Sequence, residues 1–237
     1  MNKATTIVSA AGLLAAGLAS AGHRVVGIAT TSESGRDRVD ALVPGAPILD
    51  IPAVLASADL VLLAIPAGEL EPLVTGLAAA GHWRAGQLVA HTAAEHGTGV
   101  LAAATARGTI PLAIHPAIVF TGTSMDLARL HEASCAVTAP TPVLPIAQAL
   151  VVELGAEPVV VAEADRPAYA EAVATATAFS ASIVRQSLDL LAGIGVEHPA
   201  AVVAPLVRAS VDAALMSTPV VERAKRVETP PQPEEDS

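Results

Sequence analysis

The chain has 237 residues, enough for one large or two modest domains with a real core. It is 52% hydrophobic but only 2% aromatic, so the interior has to be packed with Ala, Val, Leu and Ile, as suits close-packed helices and buried parallel strands. A formal net charge of −10 with no basic run argues against phosphate-tracking contact with nucleic acid, and the single cysteine, Cys135, excludes an internal disulfide framework.

Taken in order, the first segment has two readings. Met1-Asn2-Lys3, an apolar stretch to Leu18 and Ala19-Ser20-Ala21 imitate a secretory signal with a small-residue cleavage site. The alternative is a strand (Thr5 to Ser9) and a helix (Ala10 to Ala21). It is preferred because cleavage at Ala21 would strip the next strand, Arg24 to Ala29, of its partner. No run reads as a confident membrane span, and a cytoplasmic protein without membrane contact is expected.

Short β-rich runs then alternate with Ala/Leu helices. Further strands are expected at Pro47 to Leu49, Leu60 to Ile65, Leu88 to His91, Ile110 to His115, Cys135 to Thr138 and Pro158 to Val161. Helices are expected at Gly35 to Leu42, Ile51 to Ala56, Leu70 to Ala80, Gly99 to Arg107, Met125 to Leu130 and Pro142 to Leu154. Asp50 and Thr141-Pro142 have the chemistry of helix starts, and Cys135 reads as a small buried filler. This alternation predicts a doubly wound, mainly parallel, Rossmann-like α/β domain over residues 1–163.

The pattern changes near Glu163. From Asp165 to Leu191 there is no strand signal, only one long helix; a second runs from Pro199 to about Met216. Residues 164–216 read as a small helical domain. Its long helix is apolar around much of its girth, and a homodimer would cover it. Residues 217–237, with four prolines and a Glu-Glu-Asp-Ser end, read as a disordered acidic tail.

The segment from Gly86 to Phe120 concentrates the candidate chemistry. Two buried-strand patterns end in His91 and His115, with a helix between them. Strand–helix–strand enforces parallel pairing, and ligands of such sheets sit beyond the carboxyl ends of the strands. His91, Thr92, His96 and His115 form the best polar group, since imidazole can donate to a carbonyl oxygen or shuttle a proton near neutral pH. The competing reading is a histidine bonded to backbone at a strand end. A metal site lacks ligand spacing, and no Gly-x-Ser-x-Gly elbow occurs.

Cofactor signals are mixed. The turn after the first strand reads Ser9-Ala10-Ala11-Gly12, so the Gly-x-Gly-x-x-Gly fingerprint is absent and only Gly12 serves a tight turn. The second strand ends Thr30-Thr31-Ser32, with Arg36 and Arg38 close behind. Hydroxyls with an arginine suit the 2′-phosphate of NADP, although a plain solvated helix start explains them equally well. Ile65-Pro66 closes the strand whose edge would lie against a cofactor.

Several words together carry a family resemblance: Ala58-Asp59-Leu60-Val61-Leu62-Leu63-Ala64-Ile65-Pro66, His91-Thr92, His96-Gly97, Pro111 to Ala117, Phe120-Thr121-Gly122, Val151 to Pro158 and Arg166-Pro167-Ala168-Tyr169. In these the chain resembles actinobacterial Rossmann-like proteins with an uncharacterised helical C-terminal half. They are kin to the 6-phosphogluconate dehydrogenase, ketopantoate reductase and prephenate dehydrogenase superfamily. The resemblance implies a dinucleotide-binding domain, a helical dimerisation domain and NAD(P)-linked oxidoreductase ancestry. It departs at the lost glycine turn, at Ala93-Ala94 in place of Ser-Gly, and on the long helix, which lacks the family's cleft-facing His and Asn.

Two expectations follow. One is NADPH-dependent reduction of a small carbonyl acid, with His91 or His115 polarising the oxygen and Thr92 orienting it. The other is a catalytically lapsed homologue acting as a ligand-binding or regulatory dimer.

Overall fold

The computed structural model describes residues 4–8, 12–30, 32–120 and 125–217. Strand β1 (Ala4–Val8) leads into α1 (Gly12–Ser20), β2 (Arg24–Ala29) and α2 (Glu33–Leu42). Next come α3 (Ile51–Ser57), β3 (Leu60–Leu63), α4 (Ala67–Ala79) and β4 (Leu88–His91). A 3-10 turn (Thr98–Leu101) runs into α5 (Ala102–Thr105), followed by β5 (Ile110–Pro116), α6 (Met125–His131), β6 (Ser134–Thr138), α7 (Leu144–Glu153) and β7 (Glu157–Val160). Then α8 (Arg166–Ala174), a π-helical stretch (Thr175–Phe179) and α9 (Ser180–Gly193) follow without interruption, and α10 (Pro199–Ser217) ends the described chain. Ser9, Ala10, Thr31, the Thr121-Gly122 word and residues 218–237 of the expected acidic tail lie outside the described residues.

The strands form one sheet in the order β2-β1-β3-β4-β5-β6-β7. Pairing is parallel from β2 to β5, antiparallel between β5 and β6, and parallel again between β6 and β7. The chain leaves β1 toward β2 on one side and returns to β3 on the other, so the topological switch point lies between β1 and β3. The expected strand at Pro47 to Leu49 is corrected to a single parallel bridge, Ile28 to Ile48. Proline at its start has no N–H to extend a ladder.

Alternation along the strands builds a core on each side of the sheet. Leu60 and Leu62 of β3 join Leu14, Leu18, Leu112, Ile114, Leu130 and Leu150 beneath α1, α6 and α7. Val61 and Leu63 face the other way, with Val54, Leu70, Val74, Val89 and Leu101 beneath α3, α4 and α5. Cys135 is buried in the first of these cores, and burial pushes its thiol up to about 11, so it is inert packing. Asp50 caps α3 by accepting the Ala53 N–H at 2.8 Å. Gly155 (φ +79°) ends α7 where any Cβ would strike the His131 ring, so glycine is required on both counts.

The chain divides into two compact units, Met1–Thr177 and Ala178–Ser237. The contacts described below fasten α8, within the first unit, to the sheet. In the second unit α9 and α10 pack on each other across a turn where Gly195 (φ +84°) accepts the left-handed conformation that stops α9. Phe179, Ile183, Leu190, Ile194, Leu206 and Leu215 of this unit are exposed. Among the described residues α10 alone is long and apolar enough to cross a membrane by length and composition. It carries Arg208 and Asp212 within its span, each costing about 2.5–3.5 kcal/mol at a bilayer centre.

Candidate functional site

The carboxyl ends of the parallel strands are level. Val8, Leu63, His91 and Ala113 stand in one register row across β1, β3, β4 and β5, and β5 runs on to His115. Because side chains alternate, His91, Ala113 and His115 share the face that carries α3, α4 and α5. Thr138 of β6 is paired with Ala113 and presents to that same face.

His91 is fully buried and both ring nitrogens are spent on backbone. Nδ1 accepts the Ala93 N–H at 3.2 Å, which makes Nε2 the protonated nitrogen that donates to the Gly97 carbonyl at 2.8 Å. Burial, then the positive charge of Arg166, pull this imidazole down to about 4, against the opposing pull of the Gly97 bond. His91 is thus a neutral pin that shapes the 92–97 loop, and it presents no free nitrogen to a ligand. The competing reading of a histidine at a strand end describes it.

A carboxylate fastens the same loop from the other side. Glu163 Oε2 accepts from Thr98 N–H at 2.7 Å and Thr98 Oγ1 at 3.1 Å, while Oε1 accepts from Gly99 N–H at 2.9 Å. Burial pushes this carboxyl up, but the three bonds and the nearby Arg166 outweigh it and hold Glu163 below the usual range. A Cβ on Gly97 would land on this carboxylate. Glu163→Ala should cost about 1 kcal/mol, the usual loss for an N-cap, and raise amide exchange at Thr98 and Gly99. Unchanged protection there would show that the clamp is unimportant.

His115 lies in a different setting. It is half-buried, its Nδ1 is 2.9 Å from the hydroxyl of Tyr169, and the two rings meet edge to face at 5.5 Å and 78°. Its Nε2 has no protein partner among the described residues and is not sealed from solvent. Burial first, then Arg166, bring His115 down to about 4, so it is neutral at physiological pH.

Arg166 organises this corner. It is fully buried; Nε donates to Thr138 Oγ1 at 2.7 Å, and Nη2 donates to the carbonyls of Ala113 and Ala136 at 2.8 and 3.2 Å. Nη1 has no partner, and no carboxylate among the described residues lies at ion-pair distance. The guanidinium carbon sits 5.9 Å from the centre of the Tyr169 ring. Burial raises the phenol above its ordinary value, and the guanidinium pulls it back. The result is a buried cation beneath a tyrosine–histidine pair, with the Glu163 carboxylate near it but beyond ion-pair distance. Burying a charge without an ion-pair partner is costly.

The remaining expected positions form a second group along the edge. Gly12 opens α1, Thr30 is half-buried after β2, and Ser32 caps α2 by accepting the Gly35 N–H at 3.1 Å. Arg36 is exposed in the first turn of α2, beside Glu33. Ile65 is half-buried and Pro66 heads α4, whose N-terminus has no side-chain cap. Thr92 is half-buried at the tip of β4, its N–H donating to the Leu63 carbonyl at 3.2 Å. Ser9, Ala10 and Thr31 cannot be placed in either group, as they lie outside the described residues.

Glu163, Arg166 and Tyr169 were not expected as site residues. A signal for two of them was present. In Arg166-Pro167-Ala168-Tyr169 the proline marks a helix start, and residues three apart share a helical face, so the cation and the phenol stand together. No local signal ties Glu163 to a loop 64 residues earlier.

Known proteins agree with this architecture. Residues 3–116 match a Rossmann-like domain, and residues 133–223 match a domain of unknown function, DUF2520. A search of curated proteins found no match. A Bacteroides fragilis protein provisionally described as an NADP oxidoreductase superposes with a TM-score of 0.72 at 18% identity, over 90% of this chain and 81% of that one. The 1-pyrroline-5-carboxylate reductase of Streptococcus pyogenes gives 0.68 at 19% identity, over 92% and 81%. An NADH-preferring ketol-acid reductoisomerase from an uncultured archaeon gives 0.66 at 16%, over 91% and 70%. At such identities the likeness establishes the fold. The chain thus has a Rossmann-like fold, and its C-terminal part is similar to the DUF2520 domain.

Proposed function

We propose that this protein is a reductase linked to a nicotinamide dinucleotide and acting on a small carbonyl acid, with NADPH as the reductant. The observation that carries this reading is the His115–Tyr169 pair beside the buried Arg166 cation, at the carboxyl edge of a Rossmann-like sheet. A nitrogen open to solvent suits contact with a substrate oxygen, and a buried cation favours an anionic substrate. The named activities of the structural neighbours support the reaction class. By kinship we place the chain beside the 6-phosphogluconate dehydrogenase, ketopantoate reductase and prephenate dehydrogenase superfamily.

The edge fits the dinucleotide in donor chemistry. Thr30, Ser32 and Arg36 offer hydroxyls and an exposed guanidinium at the end of β2, and α4 opens with uncapped N–H groups near the switch point. When bound, the cofactor would supply hydride to a carbonyl carbon. The protein's part is to hold the substrate oxygen at His115, to keep Arg166 dry beneath it, and to fix the 92–99 loop with His91 and Glu163. His91, proposed from sequence as one of the polarising groups, becomes a positioning residue in this account, and Thr92 orients.

One observation favours a second cofactor. Glu33 opens α2 next to Arg36, and a carboxylate there suits the ribose diol of NAD better than a phosphate. A thermal-shift titration separates the two. A ligand at about a hundred times its dissociation constant adds about 2.7 kcal/mol. NADPH should stabilise the chain more than NADH, and Arg36→Ala should abolish that preference. Stabilisation by NADH alone would transfer the site to Glu33, and no shift with either would refute dinucleotide binding. We further propose that a second copy of the chain covers the exposed apolar side of the α9–α10 hairpin. Sedimentation should give a dimer that Leu206→Glu dissociates; a monomer in the wild type would contradict this.

A further inference from the structure

We propose that Tyr169, His115 and Arg166 form a proton relay with a built-in direction: the phenol gives its proton to Nδ1 of His115, His115 gives its Nε2 proton to the substrate oxygen, and the phenolate left behind faces Arg166. This rests on the reduction proposed above and names the acid that completes it.

The need for a relay follows from the setting of His115. An imidazolium at this position would have to form in a half-buried site close to the Arg166 cation, and both conditions oppose it. His115 therefore holds no stored proton at neutral pH. It can release its Nε2 proton only if another arrives at Nδ1 in the same event. The group bonded to Nδ1, at 2.9 Å, is the Tyr169 hydroxyl. No other side chain is hydrogen-bonded to either ring nitrogen of His115 among the described residues; its own backbone and the Glu95 carboxylate favour the imidazolium, but burial and Arg166 outweigh them.

The direction follows from Arg166. Its guanidinium has no carboxylate at ion-pair distance among the described residues, Glu163 acting on it only from farther off, and it lies over the tyrosine ring. It stabilises negative charge on the phenol and destabilises positive charge on the imidazole. The first effect favours the phenol as donor; the second opposes a proton resting on the imidazole, so the Nε2 proton has to leave as the phenolic proton arrives at Nδ1. This also selects the tautomer in which Tyr169 donates and His115 carries its proton on the open Nε2. Nε and Nη2 are held by Thr138, Ala113 and Ala136, while Nη1 has no hydrogen-bond partner.

The step balances. The carbonyl carbon accepts a hydride from a reduced nicotinamide dinucleotide, and the carbonyl π pair becomes a lone pair on oxygen. That oxygen takes the Nε2 proton and Nδ1 takes the phenolic proton; after the alcohol leaves, Nε2 takes a proton from water and Nδ1 returns its proton to the Tyr169 oxygen, which restores the starting tautomer.

Tyr169 is the only tyrosine in the chain, so its ionisation can be followed in the ligand-free full-length protein by ultraviolet absorbance. Arg166→Met should raise the midpoint of that titration by about one pH unit, and Arg166→Lys, which keeps the charge and guards against a folding defect in the first variant, should largely restore it. Nitrogen NMR of the wild type should show His115 as the Nε2–H tautomer, assigned by its loss in His115→Gln. With NADPH and a panel of short 2-oxo acids, Tyr169→Phe should lower kcat by about a hundredfold or more while NADPH affinity is unchanged. A titration indifferent to Arg166, an Nδ1–H tautomer, or turnover by Tyr169→Phe within about threefold of wild type overturns the relay and leaves the reduction standing. A wild type that reduces none of the acids overturns the reduction, and with it the relay's role as its acid.

Discussion

Between pH 7 and pH 5 the chain is expected to lose about 2 kcal/mol of folding stability through His91 alone. In the folded state this imidazole titrates at about 4, and in the unfolded chain at its ordinary 6.5. A lowered histidine contributes stability that is fully present above 6.5, because both states are then neutral. As the pH falls below 6.5 the unfolded chain takes up a proton that the folded chain refuses. Stability then declines by about 1.4 kcal/mol per pH unit until the folded imidazole also titrates near 4. His115 adds a smaller loss in the same window, discounted because it is half-buried. Glu163, whose carboxyl is lowered, acts at lower pH, since its contribution is lost only as carboxylates protonate. His91→Gln isolates the effect: its amide can still donate to Gly97 and accept from Ala93, but it cannot titrate. Denaturant unfolding across this range should show a shallower acid slope for the variant, and an identical slope would remove His91 from the account.

Leu101→Ala should cost 2–5 kcal/mol. Leu101 is fully buried and ends the 3-10 turn that Glu163 caps, so it seats that turn in the core beneath α4 and α5. Truncation leaves a cavity that its neighbours fill only in part, and the penalty grows with what remains empty. Trp83 is buried in the same core and is the only tryptophan, so its fluorescence follows this unfolding. The midpoint should drop with the denaturant slope unchanged. A cost under about 0.5 kcal/mol, the range of surface substitutions, would contradict this packing role.

Most of the sheet was legible because the strands are short apolar runs bounded by turn chemistry. Leu60 to Leu63 are buried on both faces and read as a continuous apolar run, while Asp59, Gly86 and Gly155 punctuate the approaches. The antiparallel pairing of β6 was not legible, since direction depends on the path through residues 117–133 and not on composition. Nor was the π-helical stretch from Thr175 to Phe179, because one extra residue per turn leaves an Ala/Thr run unchanged in periodicity. At the site, strand ends located both histidines, but not which was spent on backbone. His91 and His115 differ through Gly97 and Tyr169, one a local loop contact and the other 54 residues away. Arg166 was obscured for the same reason. Its partners, Ala113, Ala136 and Thr138, are backbone carbonyls and a hydroxyl that no spacing rule connects to it.

The proposed function requires a nicotinamide dinucleotide along the carboxyl edge with its reacting end at His115 and Tyr169. Because Tyr169 is the sole tyrosine, its ring can be isotopically labelled without ambiguity. In the complex with NADPH, nuclear Overhauser contacts should join the nicotinamide ring protons to those of Tyr169. A saturated complex whose nicotinamide shows contacts elsewhere and none to that ring would contradict the claim.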